Sequence, residues 1–157
     1  MNKALSSPDD SRLFYLEDLQ PGQRFVSPKH LIDEAQIKAF ATQFDPQPFH
    51  LDHEAAKASL FGGLAASGWH TAAITMRLLV GGMPLAGGII GAGGELSWPK
   101  PTRPGDELQV ESEVVSVTPS RSRPERGMAI MRIQTRNQHG DVLQVFVVNV
   151  VVTRRPA

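Results

Sequence analysis

Between Leu64 and Val80 the chain reads LAASGWHTAAITMRLLV, in which Arg77 is the only charge. A run apolar on nearly every face predicts a helix buried on most sides, and the rest of the chain must wrap around it. Gly68 within that run costs about 1 kcal/mol relative to alanine in a helix, so something has to require its missing side chain. A glycine-rich linker, Gly81 to Gly94, is expected to separate the helix from the C-terminal half of the chain.

Downstream the period changes to two. Glu107, Gln109, Glu111 and Glu113 alternate with Leu108, Val110 and Val114, and Met128 to Arg136 and Val142 to Val152 are similar runs. With turns at Pro101 to Gly105 and Asn137 to Gly140, the pattern predicts an antiparallel sheet and an α+β fold. Val145 to Val152 is apolar apart from Asn149, so both faces of that strand should be covered, one by the buried helix and one by a partner subunit. A homodimer, or a higher homo-oligomer built from dimers, is expected.

The first half is more broken. Residues 1 to 12 have little to bury and read as a flexible N-terminal tail, leaving a single domain over 13 to 157. A turn of helix at Tyr15 to Leu19 and a strand at Arg24 to Leu31 precede a helix capped by Asp33 that ends before Pro46. Pro46 and Pro48 should hold an extended loop. Asp52 should cap a short helix, Glu54 to Leu60, closed by Gly62-Gly63.

With 16 basic and 16 acidic residues the net charge is zero, so no global field draws the chain to nucleic acid or acidic lipid. Cysteine is absent, which excludes disulfides and thiolate chemistry. Residues 1 to 10 are polar and acidic, unlike a signal peptide, and no stretch approaches the ~18 apolar residues of a membrane span. A cytoplasmic protein without membrane partners is expected.

Phe44-Asp45-Pro46-Gln47-Pro48-Phe49-His50 puts a carboxylate and an imidazole on one proline-stiffened loop. Such a pair can take a proton from water and return one to carbon, which is what hydration of an enoyl thioester needs. Equally, Asp45 could cap a turn and His50 pack at a helix start. Near the helix start, Ser67-Gly68-Trp69 would offer unpaired N–H groups to a thioester carbonyl, with Gly68 allowing close approach, unless Gly68 serves packing alone.

His50, Asp52 and His53 have ligand chemistry but poor ligand spacing, so no metal site is expected. His70 reads as a hydrogen-bonded core histidine. Glu95 has no local partner, and Ser67 has no base at a nucleophile's spacing. Arg121 and Arg123, in a basic loop, are either solvated surface or contacts to the phosphates of coenzyme A.

These motifs, taken in order, resemble the MaoC-like dehydratases and R-specific enoyl-CoA hydratases. Asp45-Pro46-Gln47-Pro48-Phe49-His50 followed by Ala56 is similar to that family's Asp-x-Asn-Pro-(Ile/Leu/Val)-His signature. Phe61-Gly62-Gly63-Leu64-Ala65-Ala66-Ser67-Gly68-Trp69 looks like its Phe-Gly-Gly-x-(Ile/Val)-Ala-His-Gly-Met, and Leu96 to Leu108 like its strand and turn leading into Gly-Asp. The likeness covers about residues 13 to 153.

The resemblance implies a hot-dog fold, an antiparallel sheet wrapped around one long helix with the Asp45 to His50 loop overhanging the substrate. It implies that Asp45 and His50 activate water, that the Gly68 N–H binds the thioester oxygen, and that the substrate is an acyl-CoA ester with no further cofactor. Three departures stand out: Gln47 for asparagine, Ser67 for histidine, and Met76 where some members carry a helix serine that orients the catalytic pair. Phe49 and Trp69 are bulky for a pocket that takes short linear chains. A hot-dog thioesterase and a non-catalytic acyl-binding subunit are the competing readings, the latter favoured by Met76.

Overall fold

The computed structural model describes residues 12–157. The expected tail therefore lies almost wholly outside the described residues. Arg12, assigned to it, pairs with Asp18 at 3.3 Å and stacks over Phe14.

After a 3-10 turn at Leu16–Asp18 the elements are β1 (Arg24–Leu31), α1 (Glu34–Phe44), α2 (Pro48–Leu51), α3 (His53–Lys57), α4 (Gly68–Gly82), β2 (Ile90–Ser97), β3 (Glu107–Pro119), β4 (Arg126–Arg136) and β5 (Val142–Thr153). The strands form one antiparallel sheet in the order β1-β3-β4-β5-β2. Helix α4 packs on β1, β3 and β5, which is the hot-dog arrangement. Leu108, Val110 and Val114 of β3, Ala129, Met131 and Ile133 of β4, and Val148, Val150 and Val152 of β5 are buried on one face of the sheet. Period two thus marks the inner face, as alternation requires.

Four boundaries differ from the sequence reading, and the simplest is the short helix expected over Glu54 to Leu60, which is α3 and ends at Lys57. Helix α4 begins at Gly68, four residues later than the apolar run. Ala65 N–H donates to Phe49 O and Ala66 N–H to Thr102 O, so Leu64 to Ser67 run extended and are satisfied by tertiary hydrogen bonds. Nor is α4 buried on most sides: Ile74, Leu78 and Leu79 face the sheet, while Trp69, Met76 and Val80 are exposed in the single chain.

The expected glycine linker is largely structured. Gly81 and Gly82 end α4, and Gly91, Gly93 and Gly94 belong to edge strand β2. A Cβ on Gly82 would lie 2.8 Å from Ser27 Cα, and one on Gly94 would run into the Val147 backbone, so both glycines serve close chain approach. The proline loop is not fully extended either. Pro48 takes the first position of α2, where its missing N–H costs nothing and its fixed φ suits a helix.

Candidate active site

Helix α1 ends where Asp45, its C-cap, donates its N–H to Ala41 O. One turn of α2 then carries His50 inward until it is 3% exposed, edge-on to the Phe49 ring. The His50 Nδ1 lies 2.6 Å from the carbonyl oxygen of Ala65. A carbonyl only accepts, so the hydrogen resides on Nδ1 and the Nε2 edge is left for chemistry. That Nε2 faces Asp45 Oδ2 at 3.3 Å.

The carboxylate is braced on both oxygens. The Ser67 hydroxyl donates to Oδ2 and the Gln47 amide to Oδ1, each at 2.6 Å. Burial pushes the Asp45 carboxyl up, but the hydrogen bonds from Ser67 and Gln47 and the proximity of His50 outweigh it, and its pKa ends below the ordinary carboxylate range. Gln47, the departure from asparagine, reaches Asp45 as a direct donor.

The sequence reading groups Ser67 with Gly68 and Trp69 as carbonyl-binding. It is fully buried, does not line the cavity, and acts on Asp45 instead. As N-cap of α4 its Oγ also accepts the Trp69 N–H at 3.2 Å, so one hydroxyl couples the carboxylate to the helix start. The Gly68 N–H has no hydrogen-bond partner among the described residues. Gly68 is required by packing as well, since a Cβ there would sit 2.7 Å from the Trp98 indole. Trp98 is held in turn by its Nε1–H donating to the buried Gln144 at 2.9 Å.

Asp45, His50, Gly68 and Trp69 meet on one cavity of about 340 Å³. Trp69 and Trp98 form an edge-to-face pair on its wall, with ring centroids 5.3 Å apart. Phe61, Trp98, Lys100, Thr71 and Thr102 also line it, and no local signal in the sequence marked them as site residues. Arg103 supports the Phe61 wall by donating to the carbonyls of Phe61, Gly63 and Leu64.

Other candidates fall elsewhere. Arg121 and Arg123 lie in the β3–β4 turn, at the opposite end of β3 from Thr102. The length of β3 stands between them and Thr102, and neither side chain lines the cavity. Met76 is 41% exposed and absent from the lining, so the departure assigned to it does not touch the Asp45–His50 pair.

His53 is paired with Glu34 and Asp52 caps α3, and no cluster of metal-ligating side chains exists among the described residues. Glu95 is exposed on β2. His70, expected to be hydrogen-bonded, has a buried Nδ1 with no partner and stacks flat on Phe40 at 4.5 Å. Burial, aided by His30, lowers its pKa to about 4. Among the described residues, no helix is long and apolar enough to cross a membrane.

The sequence is similar to known proteins over most of its length. The crystal structure of a MaoC-like dehydratase from Rhodospirillum rubrum superposes with a TM-score of 0.90 at 65% identity, covering 92% of this chain and 99% of that one. The uncharacterized protein YdeM of Bacillus subtilis is 35% identical, over 78% of this chain and 87% of its own. A 3-hydroxybutyryl-CoA dehydratase of Methylorubrum extorquens is 31% identical over 71% of each chain. The family model described as "MaoC like domain" matches residues 18–150, and the chain belongs to that family.

Proposed function

We propose that the protein is an acyl-CoA hydratase that adds water reversibly to a trans-2-enoyl-CoA to give a 3-hydroxyacyl-CoA. The observation that carries this reading is the Asp45–His50 pair, 3.3 Å apart on the same cavity as the unpaired Gly68 N–H. A relative named for dehydration of 3-hydroxybutyryl-CoA supports the same chemistry.

In this reading the braced Asp45 carboxylate orients a water, and His50 Nε2 takes one of its protons as the oxygen bonds to C3. The C2–C3 π pair moves toward the thioester oxygen, where the Gly68 N–H and the start of α4 stabilise the enolate. The imidazolium, facing Asp45, then returns the proton to C2. Oxygen and hydrogen arrive from one side, giving syn addition, with no cofactor beyond the coenzyme A of the substrate.

The stereochemistry comes from using one base as acid, and the direction of net flux from substrate supply. The rival hydrolytic chemistry would direct water at C1 and release thiol. Crotonyl-CoA separates the two: the reading predicts loss of enoyl-thioester absorbance without free coenzyme A. Thiol release in step with the absorbance change would replace it with a thioesterase.

We further infer a homodimer. Trp69, Met76 and Val80 make an exposed apolar stripe on α4, and β2 is an open edge exposed at nearly every position. Both are costly to leave in water and are covered by a second copy. Sedimentation at micromolar concentration is expected to give twice the mass of the chain; a monomer would contradict it.

A further inference from the structure

A polar floor of the cavity is left over once Asp45, His50 and Gly68 have been assigned. Thr71 and Thr102 both line the cavity, each is 2% exposed, and their Oγ1 atoms lie 2.8 Å apart. Thr71 is three residues beyond Gly68 on α4, about 4.5 Å along the axis and on the same side of the helix. Thr102 is fixed by its own carbonyl, which accepts the Ala66 N–H at 2.9 Å.

Counting protons distinguishes this pair from its neighbour. Thr75 donates to Thr71 O at 2.8 Å, so in its 2.6 Å contact with Thr135 it must accept, and both hydroxyl protons are used. In the Thr71–Thr102 pair one hydroxyl donates to the other. The accepting hydroxyl keeps a proton that no other described residue takes up. A buried donor without an acceptor is unfavourable, and an apolar ligand leaves it so.

We propose that Thr71 and Thr102 select acyl chains that carry a hydrogen-bond acceptor, such as a keto or hydroxyl oxygen, on the carbons beyond C3. This rests on the acyl-CoA reading above. A substrate oxygen accepts the spare proton, and a plain alkyl chain of the same shape does not. Discrimination of about tenfold or more is expected, because a site built around a hydrogen bond rejects the analogue that lacks it.

The test uses saturated esters, which bind but cannot be hydrated, titrated calorimetrically into the full-length protein. The pairs are 4-oxopentanoyl-CoA against 4-methylpentanoyl-CoA, and 5-oxohexanoyl-CoA against 5-methylhexanoyl-CoA. At least one ketone is expected to bind about tenfold tighter than its methyl isostere. The double variant Thr71→Val/Thr102→Val should bring that ratio near one, because either single substitution leaves the other hydroxyl free to donate, and Thr71→Ser should keep it. Equal or weaker binding of both ketones by the native protein overturns the proposal, as does a preference unchanged in the double valine variant. If the double variant does not fold, the native ratio decides. Hydration of crotonyl-CoA is measured alongside: hydration without ketone preference sinks the selectivity alone, whereas no hydration and no binding of any ester sinks the acyl-CoA reading itself.

Discussion

The Ser67 hydroxyl donates to Asp45 Oδ2 at 2.6 Å while accepting the Trp69 N–H, so one side chain holds both the proposed catalytic carboxylate and the start of the helix that offers the Gly68 N–H. Ser67→Ala removes both contacts. The variant should lose about 1 kcal/mol of stability, the usual cost of an N-cap. Its Asp45 carboxyl should titrate at higher pH than in the native protein, read by carbon NMR of the side chain, and kcat should fall roughly tenfold or more. An unmoved Asp45 titration would show that Ser67 does not brace the carboxylate.

His70 makes the fold sensitive to acid. Its pKa is lowered to about 4 in the folded protein from 6.5, burial being the main cause. Above pH 6.5 it is neutral folded and unfolded, and its contribution is fully present. As pH falls from 6.5 toward 4 the unfolded chain takes up a proton that the folded chain refuses, and stability drops by on the order of 2 kcal/mol. His70→Phe, which keeps a flat ring against Phe40, should flatten that part of the profile in urea denaturation. An equally steep loss in the variant would locate the sensitivity elsewhere.

Gly68→Ala tests the packing requirement. The added methyl meets the Trp98 indole at 2.7 to 2.9 Å, closer than side chains tolerate. Overpacking of this kind costs about 1 to 3 kcal/mol. Combining it with Trp98→Leu should recover part of the loss, giving a clear coupling energy in a double-mutant cycle. Strict additivity would mean that Trp98 is not what excludes a side chain at position 68.

Much of the architecture is legible in the sequence because it rests on local pattern. Leu108, Val110 and Val114 announce the inner face of β3, and the Asp33 cap and Pro46 bracket α1. The Asp45–His50 pair is legible for the same reason, since only the four residues Pro46 to Phe49, two of them proline, connect its members. What escapes the sequence depends on contacts between distant segments. Leu64 to Ala66 have helix-compatible side chains, yet hydrogen bonds to Phe49 O and Thr102 O draw them out straight. Gly94 looks like linker until β5 is laid against it. Thr71 and Thr102 lie far apart in the chain, and only the fold brings their hydroxyls together. Met76 shows the converse error: a position inferred by counting along a motif falls on the outer face of α4.

The central claim is that Asp45 and His50 together handle water at an enoyl thioester. Its most direct test is the crotonyl-CoA hydration rate of Asp45→Ala and His50→Ala, each checked for native-like circular dichroism. Native protein is expected to hydrate the ester, and each substitution to lower kcat by about two to four orders of magnitude, the range expected for loss of a general acid–base group. Turnover at the native rate in both folded variants would contradict it.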